Sequence, residues 1–130
     1  MFGKNKQPPI KSLIAHTSVI EGNITFSEGL RVDGQIQGNI RAQPTNPSIL
    51  VISEEAKVVG EVHASHIIIN GRVEGPVHAS DLLELQPKAV IMGNIYYKAL
   101  EMHQGAVISG QLCPNTAEDK PALTLAASNG

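Results

Sequence analysis

The chain has 130 residues, the size of one domain, with a formal net charge of −2 at pH 7 and a single cysteine. These values argue against a basic nucleic-acid-binding surface, an intrachain disulfide framework and a multi-cysteine zinc site; no apolar run approaches the roughly 18 residues of a membrane-spanning helix. Aromatic residues are scarce, with no Trp, two Phe and two Tyr, whereas Val and Ile together number 24. Small branched side chains favour strands, so the composition predicts an all-β protein of a reducing compartment, the cytoplasm.

Residues 1–12 form the first predicted segment, a flexible tail outside the folded domain. The segment is basic, with three lysines and no acid, and its double proline disfavours a regular helix. Met1, Phe2, Lys4 and Lys6 fit two interpretations. They are either a solvated start of the chain or a membrane-surface anchor, in which two apolar side chains enter the acyl boundary and lysines meet anionic headgroups.

A repeat occupies residues 13–112 and is the main feature of the sequence. The motif small–x–branched–x–Gly–x–aliphatic recurs six times, with its glycines 16, 22, 15, 18 and 17 residues apart. The copies are Ser18–Ile24, Gly34–Ile40, Ala56–Val62, Gly71–Val77, Ala89–Ile95 and Ala106–Leu112. Each copy is too short to fold alone but can form one turn of a solenoid, whose parallel strands stack about 4.8 Å apart.

Apolar pairs precede most copies and are joined to them by corners of two lengths. The short corners contain Asp33-Gly34 and Asn70-Gly71, dipeptides that suit a turn with positive φ. Residues 43–47 predict a loop that bulges from one corner and accounts for the spacing of 22. Spacings of 15, 16 and 17 break the six-residue unit of left-handed hexapeptide solenoids. The sequence therefore predicts a right-handed parallel β-helix of about six turns, with aliphatic columns inside.

Two histidines at equivalent repeat positions are the best candidates for chemistry. Val62-His63 and Val77-His78 put two imidazoles at one register on successive turns, about 5 Å apart, which two ligands of one metal ion would tolerate. Their column continues through Thr25, Arg41, Tyr96 and Cys113, without a third ligand at the next turns. Alternation from the inward valines turns the column outward, so the favoured interpretation is a structural surface ladder. The alternative is a small β-helical metal-binding module or enzyme that uses His63 and His78.

The remaining residues, 113–130, predict a flexible C-terminal tail, short, alanine-rich and weakly acidic. No glycine-rich phosphate loop opens a helix, and we predict no nucleotide, metal or other cofactor, no nucleic acid and no catalytic residue.

Neither tail has the length or periodicity of a capping helix, and the last turn is as apolar as the interior ones. An uncapped rod should stack through its open ends, although an adaptor that stays monomeric or dimeric is a further alternative.

Taken together, the Gly-x-aliphatic turns, the short proline-bearing tails and the opening Met-Phe-x-Lys resemble the bactofilin family over essentially the whole chain. The resemblance implies a bacterial cytoskeletal protein with a right-handed β-helical core that polymerises end to end without a nucleotide. It also implies attachment to the inner face of the cytoplasmic membrane and a scaffolding role for cell-wall, cell-shape or polarity proteins. In some family members an aromatic residue near the C-terminal end of the core seats the next subunit, and here none follows Tyr97.

Carried onto this chain, the resemblance makes Met1, Phe2, Lys4 and Lys6 the membrane-binding residues. The polymer contacts would be the exposed faces of the first and last turns. The residues that we predict there are Leu13, Ile14, Ile20, Ile24, Phe26, Val107, Ile108 and Leu112.

Overall fold

The computed structural model describes residues 8–44 and 47–115, and all regular structure in these residues is β-strand. The strands are β1 (Ser12–Ile14), β2 (Val19–Glu21), β3 (Ile24–Phe26), β4 (Gly29–Val32), β5 (Gln35–Gln37), β6 (Ile40–Ala42), β7 (Ile49–Ile52), β8 (Lys57–Val59), β9 (Val62–Ile69), β10 (Arg72–Glu74), β11 (Val77–Leu85), β12 (Val90–Met92), β13 (Ile95–Met102), β14 (Val107–Ser109) and β15 (Leu112–Pro114). The predicted tails fall mainly on residues 1–7 and 116–130, which lie outside the described residues.

Two parallel sheets wrap around one interior. The first has six short strands in the order β2-β5-β8-β10-β12-β14, and the second follows the order β1-β4-β7-β9-β11-β13-β15, with β3 and β6 joined to it through β9. The chain crosses both sheets once in each turn, so β2–β4 form turn 1, β5–β7 form turn 2, and each later strand pair forms one further turn. The described residues make six turns, preceded by β1, which pairs with β4. The predicted all-β solenoid is confirmed.

Motif residues align across the turns as the repeat predicts. In the six-stranded sheet the register joins Ile20 to Ile36, and the column then runs through Val58, Val73, Ile91 and Ile108. In the other sheet a second column runs through Ile24, Ile40, Val62, Val77, Ile95 and Leu112. From turn 2 to turn 5 every member of both columns is at most 1% exposed. Burying one such side chain contributes roughly 1.5–3 kcal/mol, so the columns form the hydrophobic core.

The motif glycines of turns 2 to 6 are required by the close approach of successive turns. The six motif glycines have φ between 137° and 159°, a conformation that side chains rarely adopt. A Cβ built on Gly38 would overlap the carbonyl oxygen of Gly22 on the turn before, and the same relation recurs at each later turn. The repeated glycine therefore sets the distance between the turns.

Corner glycines differ from the prediction. Gly34 and Gly71 were expected to need positive φ, but neither has it. A Cβ on Gly34 would instead overlap the carbonyl oxygen of Ala15, and one on Gly71 would overlap that of Ser53. These corners need glycine because the neighbouring backbone leaves no room for a side chain.

Polymer-end surfaces and the histidine ladder

The core columns end abruptly at the C-terminal end of the rod. Leu112 is 45% exposed, whereas Ile95, its partner one turn below, is fully buried. Ile108 occupies the last position of the other column and is only partly buried. We call Ile108 and Leu112 the C-terminal end surface. The difference in burial arises because no strand of the described chain stacks above β14 and β15.

At the other end of the rod, Ile14, Ile20 and Ile24 are partly buried residues packed against the core. Their partners in the next turn are 0–1% exposed. We call these three residues the N-terminal end surface. Both ends thus present inward-facing aliphatic side chains beside strand edges, the feature that soluble solenoids usually cover.

Three other residues predicted at the ends have different surroundings. Leu13 is 59% exposed and pairs with Arg31, and Val107 is 53% exposed and pairs with Val90, so both lie on the outer faces of the sheets. Phe26 is 7% exposed and belongs to the core cluster. The membrane-binding candidates Met1, Phe2, Lys4 and Lys6 lie outside the described residues.

The predicted histidine column is present and faces outward. The strand register joins Thr25, Arg41, His63, His78, Tyr96 and Cys113 in that order on successive turns. The His63 and His78 rings are stacked with centroids 4.2 Å apart and an interplanar angle of 6°. Tyr96 continues the stack at 4.5 Å from His78 and 9°. We call His63, His78 and Tyr96 the histidine ladder.

Glu61 is a candidate site residue that was not predicted from the sequence. One of its carboxylate oxygens lies 3.0 Å from Nε2 of His63, and its side chain is 47% exposed. The hydrogen bond with His63 holds the pKa of Glu61 below its ordinary value. The predicted histidine column joins residues from turn to turn, whereas Glu61 lies two residues before His63 on the same turn. The spacing Glu-x-His, which places both side chains on one face of an extended segment, could have revealed it.

The pKa of His78 is also lowered, in this case mainly by burial. Partial burial, followed by the neighbouring His63, lowers the pKa of His78 because both disfavour the imidazolium. His78 is therefore held neutral at a pH at which an ordinary histidine begins to be protonated.

A cleft of about 400 Å³ opens beside the ladder. Its walls are Arg41, Ala42, Gln43, Pro44, Ser48, His63, Ala64, Ser65, His78, Ala79, Ser80 and Asn115. Ser48 is 2% exposed and joins the two sides of this region, because its Oγ accepts a hydrogen bond from the Ser65 amide at 2.9 Å. The ladder is consequently accessible from solvent through this cleft.

A second titratable cluster lies near the C-terminal end. His103 Nε2 is 3.1 Å from a Glu101 carboxylate oxygen and 3.7 Å from one of Glu84. Gln86 donates a hydrogen bond to the same Glu84 oxygen at 2.6 Å. Glu84 and Glu101 are register partners on adjacent strands, so His103 and Gln86 offset the repulsion between two like charges.

Comparisons with known proteins agree with this architecture. The family described as "Bactofilin: Polymer-forming cytoskeletal" matches residues 12–113. Bactofilin BacO of Myxococcus xanthus (strain DK1622) is 27% identical over 101 residues, which cover 78% of this chain and 77% of that protein. No solved structure matches the chain at a significant level. No helix among the described residues is long and apolar enough to cross a membrane. Because the family match spans nearly all of the described solenoid, the chain belongs to the bactofilin family of polymer-forming cytoskeletal proteins.

Proposed function

We propose that this protein assembles end to end into nucleotide-independent filaments, which lie on the inner face of the cytoplasmic membrane and scaffold cell-shape or cell-wall machinery. The proposed role is structural rather than catalytic. The observation that carries it is the pair of open ends, at which the core columns stop without a capping strand in the described chain. Membership in a polymer-forming family supports the same role.

Stacking at the ends would extend both kinds of interaction that join the turns within the rod. A neighbouring subunit would bury the exposed part of Leu112 and Ile108 and supply hydrogen-bond partners to the edges of β14 and β15. Covering half of one leucine side chain contributes about 1 kcal/mol. The strand-edge hydrogen bonds each add about 0.5–1.5 kcal/mol, so one turn-on-turn contact gives a moderate affinity that propagates along a filament.

Charged substitutions at the end surface test this proposal. We expect the wild-type protein to form filaments visible by negative-stain electron microscopy, and to pellet on ultracentrifugation, in buffer without nucleotide. Leu112→Asp should abolish both because it places a carboxylate where a neighbour must bury an aliphatic side chain. Val59→Asp is the matched control, since Val59 is 39% exposed but lies on the outer face of the middle of the rod. Filaments in Leu112→Asp, or their loss in both variants, would contradict the end-to-end arrangement.

The membrane part of the proposal rests on Met1, Phe2, Lys4 and Lys6. Each lysine near an anionic surface contributes about 1 kcal/mol, and the two apolar side chains add a few more, which is weak for one chain. Many such tails on one filament would bind tightly through their high effective concentration. We expect flotation with anionic liposomes for wild type and its loss for Phe2→Ala. Equal flotation of the two proteins, or none for either, would refute the anchor while leaving the filament proposal intact.

A further inference from the structure

We infer that Glu61, His63 and His78 form a binding site for one divalent transition-metal ion, with Zn²⁺ as the favoured metal. The site joins turns 3 and 4 on the outer face of the rod and is separate from both end surfaces. One carboxylate and two imidazoles are a common protein ligand set for zinc, which leaves the fourth tetrahedral position to water or to an external group.

Three donor atoms already lie close together. The ligand atoms of Glu61, His63 and His78 all lie within 4.8 Å of one another, and the Glu61 oxygen is 3.0 Å from Nε2 of His63. Donors bound to one zinc ion at about 2.0–2.1 Å in a tetrahedron lie about 3.3 Å apart. The Glu61–His63 pair is close to that separation, and a tilt of the two rings out of their 6° parallel stack brings in the third donor.

The fold limits the freedom of these side chains before any ion arrives. His63 and His78 are half-buried register partners, each the second residue of its strand (β9 and β11), and Tyr96 packs on the far face of His78. Ligands held by strand register lose less conformational entropy on binding than ligands on loops. The cleft is lined by both His63 and His78 and gives an ion a path from solvent to these two side chains.

Arg41 provides a test of whether the site binds a cation or an anion. It is the register partner of His63 on the preceding turn and contributes to the wall of the cleft. A nearby guanidinium opposes a cation and favours an anion. Replacing Arg41 with Gln should therefore tighten Zn²⁺ binding roughly threefold at moderate ionic strength, whereas it would weaken an anion site.

Zinc titration of the full chain without a histidine tag is the direct experiment. By equilibrium dialysis with Zn²⁺ alone near neutral pH, we expect one ion per chain. His63→Ala, His78→Ala and Glu61→Gln should each lower the affinity by more than about tenfold. His103→Ala is the matched control, because His103 contacts Glu84 and Glu101 in the other cluster where three donor atoms lie close together. Binding that survives in His63→Ala and disappears in His103→Ala, or no binding below millimolar Zn²⁺, would overturn the inference.

A second measurement uses only the wild-type protein and does not depend on how the variants fold. Zn²⁺ should protect His63 and His78 from modification by diethylpyrocarbonate, detected by mass spectrometry, and should leave the exposed His16 reactive. Equal reactivity of His63 with and without Zn²⁺ would refute the site. Filament formation is scored separately, so failure of the metal site and failure of the polymer proposal give different results.

Discussion

The motif glycines give the sharpest test of how the rod is built, because one of them lacks the neighbour that constrains the rest. Gly22 and Gly93 have φ of 137° and 149°, so alanine at either position adopts a strained backbone that costs about 1–3 kcal/mol. At Gly93 the added Cβ would also lie 2.6 Å from the carbonyl oxygen of Gly75. At Gly22, in the first turn, a Cβ meets nothing within 4 Å.

From these contacts the two substitutions should differ in stability by the cost of the clash alone. An ordinary contact between the added Cβ and the Gly75 oxygen needs 3.4 Å, so the two turns must separate by about 0.8 Å. Overpacking of this kind lowers the free energy of unfolding by about 1–3 kcal/mol. We expect Gly22→Ala to lower the free energy of unfolding by about 2 kcal/mol and Gly93→Ala by about 4 kcal/mol.

Urea unfolding followed by circular dichroism measures this difference. Both variants should carry Leu112→Asp, because assembly would otherwise add a concentration-dependent contribution to the apparent stability. Equal losses of free energy for Gly22→Ala and Gly93→Ala, with unchanged denaturant slopes, would refute the claim that turn-on-turn contact demands the glycine.

Without the Leu112→Asp background, Gly22→Ala makes a second prediction about assembly. The added methyl group points away from turn 2, towards the place where a neighbouring subunit would stack on the N-terminal end. The variant should therefore fold yet need a much higher protein concentration to pellet. Wild-type pelleting of Gly22→Ala would show that the N-terminal end is not a tight contact in the filament.

Three further outcomes follow from individual side chains. The pKa of Asp33 is lowered, first by a hydrogen bond from Ser53, so this carboxylate contributes stability above its ordinary pKa of 3.8 that is lost as pH falls through the lower folded value. Asp33→Asn should therefore flatten the decline in urea stability as pH falls below 3.8, and an unchanged profile would contradict this. Ser48→Ala should cost about 1–2 kcal/mol in urea unfolding because it removes the acceptor of the Ser65 amide, and a neutral result would show that water replaces the hydroxyl. Leu83→Ala, at a fully buried position, should cost about 2–5 kcal/mol, and a loss below about 1 kcal/mol would show that the interior collapses around the cavity.

The solenoid and its columns were predictable because strand alternation has a fixed period of two. Once Ile36 and Val58 are placed inward, the next residues, Gln37 and Val59, must face outward. In the structure the first two side chains are buried and the other two are exposed. The order of the histidine column followed from the same rule applied across the turns. Among the residues expected at the polymer ends, Phe26 is buried in the core, whereas Leu13 and Val107 lie on the outer faces of the sheets.

Features that depend on distances between backbones of different turns were not predictable in the same way. Asn-Gly and Asp-Gly dipeptides suggested positive φ at Gly71 and Gly34, yet both lack it, whereas the motif glycines, such as Gly60, have it. Sequence propensity records which conformations a residue tolerates. The need for glycine at these two corners has another cause, the carbonyl oxygens of the preceding turn. These oxygens lie 16 to 19 residues before Gly34 and 15 to 18 residues before Gly71. Glu61 was missed for a different reason, since its contact with His63 is local, two residues apart within one turn, whereas the histidine column runs between turns.

The same stacking rule explains both the open ends and the proposed metal site. A solenoid brings residues that occupy equal positions in consecutive repeats to within one strand spacing, whatever their separation in sequence. At the ends this leaves the aliphatic column members Ile24 and Leu112 without one of their two neighbours. In turns 3 and 4 it converts two copies of Val-His-Ala-Ser, 15 residues apart, into rings whose centroids are 4.2 Å apart. The spacing at which we propose that rods stack end to end is thus also the spacing that brings two imidazoles within reach of one ion. A metal bound there would link turns by side chains where the backbone already links them by hydrogen bonds.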